Sequence, residues 1–100
     1  MEKKTNKYHL TLAYKGNGDE ETSGEKHLEL DFENHDELFG IIDKIKLLDP
    51  FSSEQQSIEF AIGLKMFSEI MIKNRKHPLF EELNPAFGNF MKQLKSMNKD

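Results

Sequence analysis

Lys7-Tyr8-His9-Leu10-Thr11-Leu12-Ala13-Tyr14 and Lys26-His27-Leu28-Glu29-Leu30-Asp31-Phe32-Glu33 decide the fold of this chain. Tyr8, Leu10, Leu12 and Tyr14 share one parity in the first stretch, and Leu28, Leu30 and Phe32 share one in the second. Alternation with period two, in segments carrying aromatic residues and Thr, predicts half-buried strands over about 7–14 and 26–33. If Leu10 faces Leu30 in an antiparallel hairpin, Tyr8 meets Phe32 and Leu12 meets Leu28 on the side expected to be buried. The same register sets His9 against Asp31 and Lys7 against Glu33 on the wet side, where opposite charges stabilise the pairing. Agreement on both faces selects this register. The intervening Lys15–Glu25 contains Gly16, Gly18 and Gly24 and is too long for a tight turn, so a mobile loop is expected over 15–25.

Downstream, the period changes to that of helices. Asn34 is the expected N-cap of a first helix over about 35–48, with Glu37 as its capping-box partner and Asp36 suited to the positive end of the dipole. Leu38, Ile41, Ile42, Ile45 and Leu48 form its apolar stripe, and Asp49-Pro50 stops it. Ser52 and Ser53 are rival caps for a second helix over about 54–75. Apolar residues cover most of that helix, which is expected to be the central one, surrounded by neighbours. Gly63 inside it is expected to admit a close approach by a neighbouring element. Pro78 and Pro85 suit first helical positions, so a short helical turn at 78–83 and a third helix at 85–96 complete the chain. Phe87, Phe90, Met91 and Leu94 are the stripe of that helix. The expectation is one α+β domain over 1–100: a β-hairpin packed on three helices, with frayed ends at 1–5 and 97–100.

Composition narrows the chemistry. The 100 residues are 36% hydrophobic and 32% charged, with eight Phe, which is globular rather than disordered. The absence of cysteine excludes disulfides, thiolate zinc sites and cysteine nucleophiles. Formal charge is −4; residues 1–40 carry ten acids against five bases, while residues 41–100 carry nine bases against eight acids. An acidic chain is a poor nucleic-acid binder, because that affinity comes from neutralising phosphates. The N-terminal lysines precede no apolar run, which argues against a signal peptide. Charged and polar residues break up Ile58–Ile72, which argues against a membrane span. A cytoplasmic location is expected.

Asn74-Arg75-Lys76-His77-Pro78-Leu79-Phe80-Glu81-Glu82-Leu83 is the densest run of polar choices in the chain. Together with Pro85-Ala86-Phe87, Phe90-Met91, Lys7–Leu12, Asn34-His35-Asp36 and Phe60–Lys65, it resembles a family of small bacterial proteins, domain of unknown function 3861. The resemblance extends over most of the chain. It implies a compact α+β domain of bacterial origin and supplies no substrate, cofactor or catalytic residue.

Lys73, Arg75, Lys76, His77, Glu81 and Glu82 are the candidate ligand or partner contacts. Arg75 offers a two-pronged donor and His77 a titratable one. The competing structural reading has the cations serving the carbonyl end of the second helix, with Glu81 and Glu82 salt-bridged to them. His9, His27, Glu29 and Asp31 form a carboxylate–imidazole cluster on an exposed strand face, a poor setting for the convergent ligands that zinc requires. No nucleophile elbow, P-loop or dinucleotide fingerprint occurs.

The expected function is a non-catalytic protein-interaction or regulatory module with no cofactor and no bound metal. The first alternative is a binder of an anionic ligand or nucleic acid through residues 73–77. The second is a small enzyme using His77 with Glu81 or Glu82. A homodimer is expected through the hairpin edge or an apolar helix face, because two-stranded sheets have open edges.

Overall fold

The computed structural model describes residues 5–16 and 26–97. The expected loop at 15–25 falls mostly, and the expected frayed ends at 1–5 and 97–100 almost wholly, outside the described residues. The chain forms two compact units, Met1–His35 and Asp36–Asp100.

In the first unit, β1 (Asn6–Ala13) pairs antiparallel with β2 (His27–Asn34). The register is the one the alternation predicts: Leu10 opposite Leu30, Tyr8 opposite Phe32, Leu12 opposite Leu28, His9 opposite Asp31 and Lys7 opposite Glu33. Tyr8 and Phe32 stack with ring centroids 5.4 Å apart. The expectation that the apolar side is buried fails toward the loop end, where Leu12 is 63% exposed, Leu28 52% and Leu30 40%. Alternation fixes which side chains share a face, but not whether anything covers that face.

Asn34 is not a helix cap. It ends β2 almost fully buried, and Asn6 Nδ2 donates to its carbonyl at 3.4 Å. In the second unit, α1 spans Leu38–Leu48, and the Glu37 carboxylate caps it by accepting from Phe39 N at 3.0 Å and Gly40 N at 3.1 Å. A carboxylate directly before the first helical residue reaches two of the orphan donors, which Asn34, held in the ladder, does not. Asp36 pairs instead with Lys65 of α2 at 2.6 Å. At the other end Asp49 turns left-handed (φ 52°) and donates its N–H to Ile45 O, after which Pro50 forbids continuation.

α2 spans Glu54–Lys73 and resolves the choice of cap, since Ser53 Oγ accepts from Gln56 N at 3.2 Å. Lys46 and Glu54, 3.1 Å apart, tie the end of α1 to the start of α2. The buried residues Ser57, Ala61, Ser68 and Met71 recur at helical spacing and Glu69 is buried beside them, so α2 is covered over part of its circumference rather than encircled. Phe67, Ile70 and Ile72 remain exposed. Gly63 lies on the open side, and a Cβ there would meet nothing within 4 Å, so the expected close approach is absent among the described residues.

A 3-10 turn at Pro78–Phe80 leads to α3 (Leu83–Ser96), which starts two residues before the predicted Pro85. At the third helical position Pro85 still lacks only an N–H that would have had no intrahelical partner. Six of the eight Phe residues form one continuous run in this unit. Phe51 meets Phe60 at 5.2 Å, Phe60 meets Phe90 at 6.3 Å, and Phe90 meets Phe87 at 5.9 Å. Phe87 meets Phe67 at 6.0 Å and Phe67 meets Phe80 at 6.1 Å. Such pairs add about 0.5–1.5 kcal/mol each beyond the area they bury, so α2, α3 and the turn are fastened by one aromatic seam. No helix among the described residues is long and apolar enough to cross a membrane.

Candidate interaction surfaces

The corner between α2 and α3 is built by short polar reaches. Asn74 closes α2: its N–H and its Nδ2 both donate to Ile70 O, the latter at 2.9 Å. His77 N donates to Asn74 O at 2.9 Å. The His77 ring then caps the 3-10 turn, with Nδ1 accepting from Leu79 N at 3.0 Å. Phe80 lies edge-on to the same ring at 6.2 Å and is itself buried, anchoring the turn to the seam. Asn84 Nδ2 donates to Arg75 O at 3.3 Å. Two asparagines and a histidine therefore make the hydrogen bonds expected of the cations, while Lys73 keeps its place in the last turn of α2, where its charge suits the dipole.

Lys73, Arg75, Lys76, His77, Glu81 and Glu82 are each exposed along the segment that joins the end of α2 to the start of α3. Among the described residues, neither Glu81 nor Glu82 lies within ion-pair distance of Lys73, Arg75 or Lys76, so the expected salt bridges are not formed. Leu79, 72% exposed, projects from the same turn. Its exposure was not legible in the sequence, because Pro-Leu-Phe reads equally well with either apolar residue inward.

The second polar cluster lies on the wet face of the hairpin. His9 Nδ1 sits 2.6 Å from Asp31 Oδ1, and Nε2 sits 3.1 Å from Glu29 Oε1. Both contacts are favourable only when both ring nitrogens donate, which requires the imidazolium. The hydrogen bond to Asp31 holds the His9 ring above its usual value, with partial loss of water opposing the shift and Glu29 reinforcing it. His27 Nε2 stands 3.9 Å from Glu29. No group of three or more ligating side chains among the described residues suits a metal ion. The arrangement is a cross-strand clamp.

The third surface lies at the loop end of the hairpin. Leu12, Ala13, Tyr14 and Leu28 line a shallow concavity, edged by Lys15, Lys26 and His27. Lys26 Nζ lies 5.1 Å from the centre of the Tyr14 ring, a cation–π distance. The other concavities described lie over the Tyr8–Phe32 end of the hairpin and between Asp43 and Glu54. None of the three is lined by His77, Glu81 or Glu82.

No curated protein matches this chain. A crystal structure of a protein of unknown function (eca1910) from Pectobacterium atrosepticum SCRI1043 is similar, with 33% identity and a TM-score of 0.80, covering 93% of this chain and 99% of that one. The family model described as a domain of unknown function with solved structure, DUF3861, matches residues 6–96. With a match over nearly its whole length, from the first strand to the end of α3, the chain belongs to the DUF3861 family.

Proposed function

We propose that this chain is a non-catalytic protein-interaction module, and that the Lys73–Glu82 corner contacts an acidic patch on a partner protein. One observation carries the reading: the Lys73, Arg75 and Lys76 side chains take part in no hydrogen bond or ion pair among the described residues, while Asn74, His77 and Asn84 hold the backbone beneath them. Three cations on a pinned turn, beside the exposed Leu79, combine charge with an apolar anchor at little ordering cost. Arg75 supplies the two-pronged donor that suits a carboxylate. A bacterial cytoplasm suits a chain without cysteine and with a relative in Pectobacterium.

The enzyme alternative loses support from the geometry. Nδ1 of His77 is committed to the Leu79 N–H, and acid–base work by Glu81 or Glu82 would need a cleft, whereas both are exposed. The anionic-ligand alternative uses the same cations, but the formal charge of −4 opposes a nucleic-acid backbone.

The test compares the tagged chain with Arg75→Ala/Lys76→Ala and Leu79→Ala variants in capture from the source organism. Loss of the same captured proteins in both variants, with unchanged circular dichroism, is the expected result. Capture indifferent to all three substitutions would remove the corner as a contact surface. Salt-sensitive binding of a DNA oligonucleotide, lost in the double variant and unaffected by Leu79→Ala, would favour the anionic-ligand reading instead.

A further inference from the structure

Among the described residues β1 pairs only with β2, and its other edge carries an inference independent of the corner. Tyr14 N donates to Lys26 O at 2.9 Å, directly across the extended register. Hydrogen-bonded and non-hydrogen-bonded pairs alternate along an antiparallel ladder. Leu12/Leu28, Leu10/Leu30 and Tyr8/Phe32 are therefore the bonded pairs within the chain. The N–H and C=O groups of Lys7, His9, Thr11 and Ala13 point outward from β1, and those of Glu33, Asp31, Glu29 and His27 point outward from β2.

We propose that two copies of this chain pair antiparallel through their β1 edges, with Leu10 on the two-fold axis, giving a four-stranded sheet of order β2-β1-β1-β2. Charge selects the edge. Symmetric pairing of β2 centred on Glu29, Leu30 or Asp31 sets acid against acid in each case, which is destabilising. β1 centred on Leu10 sets His9 against the partner's Thr11, Lys7 against the partner's Ala13 and Tyr8 against the partner's Leu12, with no like charges opposed. Centring on His9 would face two imidazoliums, and centring on Thr11 would face Lys7 with the partner's Lys15. Only the Leu10-centred register also joins the outward N–H and C=O groups of His9 to those of the partner's Thr11 while keeping the apolar faces continuous.

Burial points the same way. A two-stranded hairpin is marginal by itself, and this one leaves Leu12 63% exposed on its apolar face. The neighbouring copy lays Tyr8 beside it. Pairing of β1 with β2 of another copy would also match charges, but the carboxylates concerned already hold Lys7 and His9 of their own chain. That arrangement would leave edges free and grow beyond a dimer.

Sedimentation of the full chain from low micromolar to near-millimolar concentration should show the mass rising from 11.7 kDa toward twice that value. Thr11→Pro removes an outward N–H that the hairpin itself does not use; it should keep its circular dichroism and stay monomeric throughout. The chain has no cysteine, so Leu10→Cys introduces a single thiol. A non-hydrogen-bonded pair at the axis has Cα atoms about 4.5 Å apart, within the disulfide range. Leu10→Cys should therefore oxidise to a covalent dimer, while Leu30→Cys should not. The Arg75→Ala/Lys76→Ala variant should dimerise as the unaltered chain does, separating this proposal from the corner. A monomer at every concentration, a folded Thr11→Pro dimer, crosslinking through Leu30→Cys instead of Leu10→Cys, or growth past a dimer would each overturn it. Should Thr11→Pro unfold, the cysteine pair decides.

Discussion

The hairpin unit and the helical unit are stabilised in opposite ways. Among the described residues, the buried hydrophobic ones, Leu38, Ile45, Ala61, Met71 and Phe80, belong to the helical unit, and the hairpin's buried residue is polar Asn34. The helices are held by an aromatic seam and by side chains that close their ends. The hairpin is held by cross-strand pairs that stay half in water. A register can thus be fully specified by pairing while its apolar residues stay exposed.

The contrast breaks most sharply at Phe80. Phe80→Ala removes a buried ring that touches both Phe67 and His77, and it should cost about 3–4 kcal/mol, read as a lowered midpoint in chemical denaturation. Hydrogen exchange should lose protection in α2 and α3; loss confined to the 3-10 turn would show that the seam is not continuous.

A smaller effect of opposite sign is expected at Gly63. Its exposed place within α2, with open space around a Cβ, makes Gly63→Ala stabilising by about 0.5–1 kcal/mol. A lower thermal midpoint for that variant would mean that something does pack there.

The smallest effect belongs to the hairpin and depends on pH. His9 titrates above its unfolded value. The clamp's contribution is therefore complete below the unfolded value, near 6.5, and is lost as pH rises through the higher folded one. Amide protection in β1 and β2 should fall slightly over that interval. Asp31→Asn should move the His9 titration downward by NMR, and an unmoved titration would contradict the clamp. The wide exposure of all three side chains keeps the stability change small.

How much of this was legible depended on range. The strand register was readable because alternation on two faces overdetermines it, whereas Ser52 and Ser53, each with a glutamine three residues on, were left level until Ser53 Oγ was found accepting from Gln56 N. Glu37 was visible only as a capping-box partner, since Asn34 satisfied the same local pattern; engagement of Asn34 in the strand ladder settled the matter. The corner was legible as a cluster of residues, but not in its roles. Lys73, Arg75 and Lys76 were expected to serve the helix end, and Asn74, His77 and Asn84 make the hydrogen bonds there because their shorter polar groups reach backbone atoms with less entropy lost.

By itself, the sequence determined the α+β class, the pairing of β1 with β2, the extent of α1 and α2 to within a few residues, and which side chains crowd into the 73–83 run. These follow from periodicity, caps and prolines, all short-range effects. Only the tertiary structure decided that α2 is covered over part of its circumference, that Gly63 faces open space, that six phenylalanines join into one seam, and that Leu12 and Leu28 of the hairpin stay exposed. Burial is a property of what arrives from elsewhere in the chain, and no local pattern encodes it.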